Sequence, residues 1–160
     1  VKYRYLTYQE LTVVEDDFSN YLYDHGFNQY EWKVLQDQNS DQALSLLEDY
    51  SDLIFDRLVQ NVEYLEYRSD KQLRAIEVHK DHMVSIGIQI PEKSNIDLTD
   101  ISSLSEIEES EEQPYRCFKE VTPYNTDRDH EVFDLIESGC YVVDSSVFEQ
   151  LSLLRLAFQN

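Results

Sequence analysis

A change of hydrophobic period near residue 60 constrains the fold of this chain more than any other feature. Before it, apolar residues recur every three or four positions, as one face of an α-helix requires; after it they alternate, as one face of a β-strand requires. Thr7 and Glu10 make a capping box, and Leu11, Val14, Phe18 and Leu22 follow at helical spacing until Gly26, so one helix is expected from about residue 8 to 25. Asn28 can cap a short helix carrying Trp32 and Leu35. Ser40 can cap a longer one whose buried stripe is Leu44, Leu47, Ile54 and Leu58. Beyond the change, Val62 to Arg68 and Leu73 to His79 are candidate strands, and Val84, Ile86, Ile88 and Ile90 alternate strictly. Three antiparallel strands follow, with a reversal at Lys80 and Asp81 and a stop at Pro91, which lacks a donor for the ladder.

Residues 91 to 114 are long for a structureless connection. Ile101, Leu104 and Ile107 fall three apart and Ser103 with Glu106 resembles a capping box, so a short helix is expected there. Tyr115 to Val121 reads as a strand, Thr126 as the cap of a helix carrying Val132, Phe133, Leu135 and Ile136 and closed by Gly139, and Tyr141 to Val143 as a short strand. Ser146 and Glu149 then cap a last helix in which Val147, Phe148, Leu151, Leu153, Leu154, Leu156 and Phe158 leave only a narrow polar stripe. That helix is expected to be enclosed on several sides or to form a homodimer interface. The sum is a single α+β domain over 1–160. Residues 1–60 form a helical layer on a mainly antiparallel sheet of four to five strands, 61–90 a three-strand unit, 91–114 an acidic connection, and 115–160 strand, helix, strand, helix.

Thirty-three Asp and Glu against thirteen Lys and Arg leave a net charge of -20. Such an excess repels phosphate backbones and anionic headgroups, which argues against direct nucleic-acid or membrane-surface binding and leaves basic protein surfaces as natural partners. The charge is uneven: residues 61–90 are nearly neutral, whereas Glu106, Glu108, Glu109, Glu111 and Glu112 put five carboxylates into seven residues. A run of this kind is ordinarily solvated surface, and it is the first candidate for contact with a basic partner. Over the roughly 8,400 Å² that a chain of this size exposes, the mean density is about fourfold below that of duplex DNA, so imitation of DNA would need segregated charge. Two cysteines, Cys117 and Cys140, are too few for a disulfide framework, and no leader or membrane-spanning run is legible, so a cytoplasmic location is expected.

Motifs that carry chemistry are sparse. The order of a helix and three strands, then a further helix and strand, resembles that of restriction-endonuclease-like nucleases, but Glu77 is followed by Val78 and His79 before Lys80 and the third strand offers no acid, so the metal-binding spacing is missing. His79 and His82 flank a turn and, with Cys117, Cys140 or His130, would supply zinc ligands of the right type; two histidines across a turn are more simply exposed hairpin residues. Asp127, Asp129 and Glu131 suit the positive end of a helix. Three glycines cannot build a phosphate loop or a dinucleotide fingerprint, and no cofactor is expected. Tyr3, Tyr5, Tyr8, Tyr21, Tyr23 and Tyr30 are expected to complete a core edge, or to form an aromatic binding face rimmed by acids.

Lys2-Tyr3 with Leu6-Thr7, the helix ending before Trp32, Ser51-Asp52-Leu53 ahead of Phe55, and the Glu63-Tyr64-Leu65-Glu66 strand resemble a family of small Bacteroidetes-type bacterial proteins known only as a domain of unknown function. The resemblance is strongest over residues 2 to 68, and it implies no catalytic residue. The expected role is therefore a non-catalytic, cytoplasmic protein-interaction or regulatory module whose acidic surface engages a basic protein. An inhibitor or immunity-type protein that blocks a nucleic-acid-binding protein by charge mimicry is the alternative. A small metal-dependent hydrolase using His79 and His82 is a third reading.

Overall fold

A computed structural model describes residues 2–100, 102–109 and 115–157. The chain divides into two compact units, residues 1–60 and 61–160.

The N-terminal unit is helical: α1 (Tyr8–Val13), α2 (Glu15–Asp24), α3 (Gln29–Gln38) and α4 (Ser40–Gln60). The single helix expected over 8 to 25 is two, because Val14 leaves helical geometry at φ -106°, ψ 24° while its amide still bonds to the Glu10 carbonyl. The break falls in Thr12-Val13-Val14, three β-branched residues of low helix propensity, and the Thr12 hydroxyl donates back to the Tyr8 carbonyl at 3.0 Å, which bends helices. The Thr7–Glu10 capping box forms with both bonds, at 2.8 and 3.2 Å, and Gly26 takes a positive φ of 92° just past the end of α2.

Two details of α4 differ from expectation. Asn39 rather than Ser40 caps it, its side-chain oxygen accepting from the Gln42 amide at 3.2 Å. The buried stripe is Ala43, Tyr50, Ser51, Phe55 and Val59, with Leu44 and Leu58 exposed and Leu47 and Ile54 half-buried. The face turns because two aromatic rings, not the leucines, fill the interior: Tyr50 is fully buried against Phe18 (4.7 Å between ring centres) and Tyr21 (5.0 Å). Tyr5, Tyr8, Tyr23 and Tyr30 do not complete a core edge and stand exposed.

The C-terminal unit runs β1 (Tyr64–Arg68), β2 (Gln72–Val78), β3 (His82–Gln89), α5 (Ser103–Glu109), β4 (Arg116–Pro123), α6 (Arg128–Glu137), β5 (Tyr141–Val143) and α7 (Ser146–Ala157). Its five strands form one antiparallel sheet in the order β4-β3-β2-β1-β5. The expected meander is present, with the reversal at Lys80-Asp81 closed by the His79 amide on the His82 carbonyl at 2.9 Å. The α+β class is as expected, with two helices, α6 and α7, following strands near the C-terminus.

Register aligns Leu73 with Ile88 and Ala75 with Ile86, which puts these four on one sheet face. With Ile90, Leu98, Leu104, Ile107, Leu151 and Leu154 they make one buried cluster, α7 lying against β2 and β3. On the other face Gly87 pairs with Phe118, and the ring occupies the space a side chain would need: a Cβ at residue 87 would run into it. Arg74 covers the same ring at 5.1 Å.

Three helix caps in this unit are shifted from expectation. Asp127, not Thr126, caps α6 by accepting from the His130 amide at 2.9 Å. Ser146 lies inside α7, where its amide donates to Asp144 at 2.9 Å. Ser103 lies inside α5, and its buried hydroxyl has no hydrogen-bond partner among the described residues. In α6 and α7 a neighbouring acid takes the free amide, and spacing in sequence alone does not separate candidate caps so close together. The last helix is not enclosed all round: Leu151 and Leu154 are buried, Leu153 and Leu156 are 69% and 58% exposed, and Phe158 lies outside the described residues.

Candidate functional site

The residues singled out in the sequence separate in space. Glu106 is exposed on α5, whose Leu104 and Ile107 face the core; the side chains of Glu108 and Glu109, together with Glu111 and Glu112, lie outside the described residues. His79 and His82 do meet across the hairpin, their rings stacked with centres 4.5 Å apart and planes 12° from parallel. Each ring is held by a carboxylate: His79 Nε2 by Glu77, which also accepts from the Tyr64 hydroxyl at 3.1 Å, and His82 Nδ1 by Asp81 at 2.7 Å. The His82 contact holds the Asp81 carboxyl below its ordinary pKa.

The other ligand candidates do not join them. Cys117 pairs with Ile88, at the far end of β3 from His82, and His130 bonds Asp127 at 2.6 Å at the start of α6. Cys140 is buried, and burial pushes the pKa of both thiols up. Among the described residues, no three of His, Cys, Asp and Glu are grouped to hold a metal ion.

The N-terminal unit brings together residues that the sequence keeps far apart. Its first segment is strapped to α4: the amides of Lys2 and Tyr3 donate to Asp52 at 3.0 and 3.3 Å, the Leu6 amide donates to the buried Ser51 hydroxyl at 3.0 Å, and Lys2 Nζ and the Tyr3 hydroxyl each reach Asp56 at 2.7 Å. Tyr3 meets Phe55 edge-on at 6.0 Å, and the Arg4 guanidinium lies over the same ring at 4.7 Å. Lys2-Tyr3, Leu6 and Ser51-Asp52 with Phe55, read in sequence as separate motifs, are thus two halves of one strap.

The ion pairs here are local and one-sided. Arg4 takes both oxygens of Glu10, at 2.7 and 3.0 Å, and holds that carboxyl at a pKa of about 2. Lys2 pairs with Asp56, which raises the ammonium pKa, and Arg57 approaches Asp17 at 3.5 Å. Asp17 also accepts from the Tyr50 hydroxyl at 2.8 Å; burial first and that carboxylate second raise the phenol's pKa. Of the unit's four basic residues only Lys33 has no carboxylate beside it among the described residues.

Lys33 stands at the rim of an open groove of about 560 Å³ within this unit. Its apolar lining is Leu11, Phe18, Leu22, Phe27, Trp32 and Leu47, and its polar rim includes Thr12, Glu15, Ser19, Gln29 and Gln36. Phe18 meets Trp32 edge-on at 5.6 Å, so the only tryptophan of the chain forms part of the wall. Helix α3 lends the groove Gln29, Trp32, Lys33 and Gln36, and it buries no residue completely, Trp32, Val34 and Leu35 being half-buried. Helical spacing places Phe18 and Trp32 on apolar faces; that the two faces meet and stay partly uncovered is a tertiary result, and the sequence carries no direct signal for it.

No helix among the described residues is long and apolar enough to cross a membrane. No curated protein and no solved structure matches the chain. A family model does match it over residues 1–155, a span that takes in both halves of the strap, all the groove residues and the whole sheet, and the chain belongs to that family, a family of unknown function (DUF6495).

Proposed function

We propose that this protein is a non-catalytic interaction or regulatory module of a bacterial cytoplasm whose acidic surface engages a basic protein. The observation that carries this reading is the charge distribution of the N-terminal unit. Glu15, Asp16, Asp24, Glu31, Asp37, Asp41 and Asp49 are exposed with no cation beside them among the described residues, while Lys2, Arg4 and Arg57 are engaged by other acids. A surface of this sign speeds encounter with cationic partners and rejects anionic ones. Glu106 and the acids that follow it in the chain extend the same preference to the C-terminal unit.

The test is capture from a bacterial lysate with immobilised protein, read as the isoelectric points of what is retained. Retained proteins are expected to be enriched in basic ones at 0.1 M salt and to be released toward 1 M, as the Debye length falls from about 10 Å to about 3 Å. A retained set no more basic than the lysate, or one indifferent to salt, overturns the proposal.

A further inference from the structure

We infer that the groove of the N-terminal unit receives one face of a basic amphipathic helix, an apolar anchor seated against Phe18 and Trp32 and Lys or Arg residues flanking it. This rests on the reading of the protein as a module for basic partners and names the place and the form of that partner. Three observations lead to it.

First, the groove is walled by helices and lies in a unit without a strand. An extended peptide would leave its amides and carbonyls facing apolar side chains, and no sheet edge in this unit would pair with them. A helix satisfies its own backbone and offers anchors three and four residues apart, the spacing that suits a helix-lined groove. Second, the groove is rimmed by Thr12, Gln29 and Gln36, all exposed. Exposed polar residues and apolar side chains line it together, which suits an apolar anchor with polar flanks. Third, the unit around the opening carries a net negative charge: twelve acids and four bases lie in residues 1–60, three of those bases are already paired, and the fourth, Lys33, shares the groove lining with Glu15. A neutral or acidic helix of the same shape would be attracted less or repelled.

The experiment uses the whole chain and three labelled model peptides of equal length. One carries Leu and Lys at helical spacing, one the same composition in strict alternation, and one Leu and Glu at helical spacing. Binding is followed by anisotropy of the label, and occupation of the groove by the emission of Trp32, the only tryptophan. The helical Leu/Lys peptide is expected to bind saturably and to shift Trp32 emission to the blue; the other two are expected to bind more weakly and to leave it unmoved.

Gln36→Arg adds a second cation to the lining that holds Lys33, and Gln60→Arg makes the same charge change at the exposed end of α4, outside the groove. The first is expected to weaken the helical peptide by about tenfold or more and the second by much less. Equal affinity for the two Leu/Lys peptides, an unmoved Trp32, or equal effects of the two substitutions overturns the groove assignment and leaves the basic-partner reading standing. Failure of both cationic peptides to bind, or equal binding of the acidic one, overturns both.

Discussion

The two units close their interiors in different ways. The C-terminal unit stacks α5 and α7 on a sheet face whose Leu73, Ala75, Ile86 and Ile88 alternate in register, and it buries eighteen apolar side chains among the described residues. The N-terminal unit buries six, and α1 and α3 contribute none of them. What it has in addition is polar: an N-terminal strap hydrogen-bonded to Ser51, Asp52 and Asp56, and an aromatic group around Tyr50. The difference shows that a sheet face, once in register, gives neighbouring strands a continuous surface to cover, whereas short helices meet only along stripes. An uncovered stripe becomes a groove.

The contrast is sharpened or broken by substitutions whose effects are expected to fall in a definite order. Leu151→Ala removes a fully buried side chain from the larger core and is expected to cost about 2–5 kcal/mol in urea unfolding followed by circular dichroism. Gly87→Ala sets a Cβ against the Phe118 ring and the Leu73 carbonyl and is expected to cost about 1–3 kcal/mol, part of it recovered when Phe118→Ala is added. Recovery would show that the sheet is limited by volume; its absence would place the strain on the backbone.

Ser51→Ala leaves the buried Leu6 amide without its acceptor, and a loss of about 1–3 kcal/mol is expected in unfolding followed by Trp32 fluorescence. No loss there would remove the polar strap from the account of the N-terminal unit and break the comparison. A smaller effect is expected from pH. The Glu10 carboxyl is held at about 2 against an ordinary 4.5, so its contribution is complete above 4.5 and is lost as pH falls through about 2. Replacing Arg4 by Gln should flatten that part of the stability profile. Leu153→Ala, on the exposed side of α7, should change stability by less than about 0.5 kcal/mol, which separates the covered side of that helix from its open side.

Much of the fold was legible because it depends on neighbours close in the chain. The Thr7–Glu10 box, the Asn28 cap, the positive-φ glycines at 26 and 139 and the three-strand meander all formed where they were read. Other local readings missed by one residue, as at Asn39 and Asp127, where two candidate caps stand side by side. The break at Val14 had a signal, the run of three β-branched residues, that the surrounding helical spacing concealed. Of the candidate site, the aromatic and acidic residues were visible and their assembly was not. The strap joins residues more than 40 positions apart, and Lys33 is distinguished only by the pairing of every other base in its unit.

The sequence by itself determined the class of the molecule, its acidity and the succession of helices and strands, because period, caps and charge act within a few residues or add up regardless of arrangement. Only the tertiary structure decided that Tyr50 displaces the leucines of α4 from the interior, that β4 and β5 take opposite edges of the sheet, and that Phe18 and Trp32 meet edge-on in the wall of an open groove. Those outcomes depend on which surfaces meet. An apolar face specifies that it will be covered, and not by what.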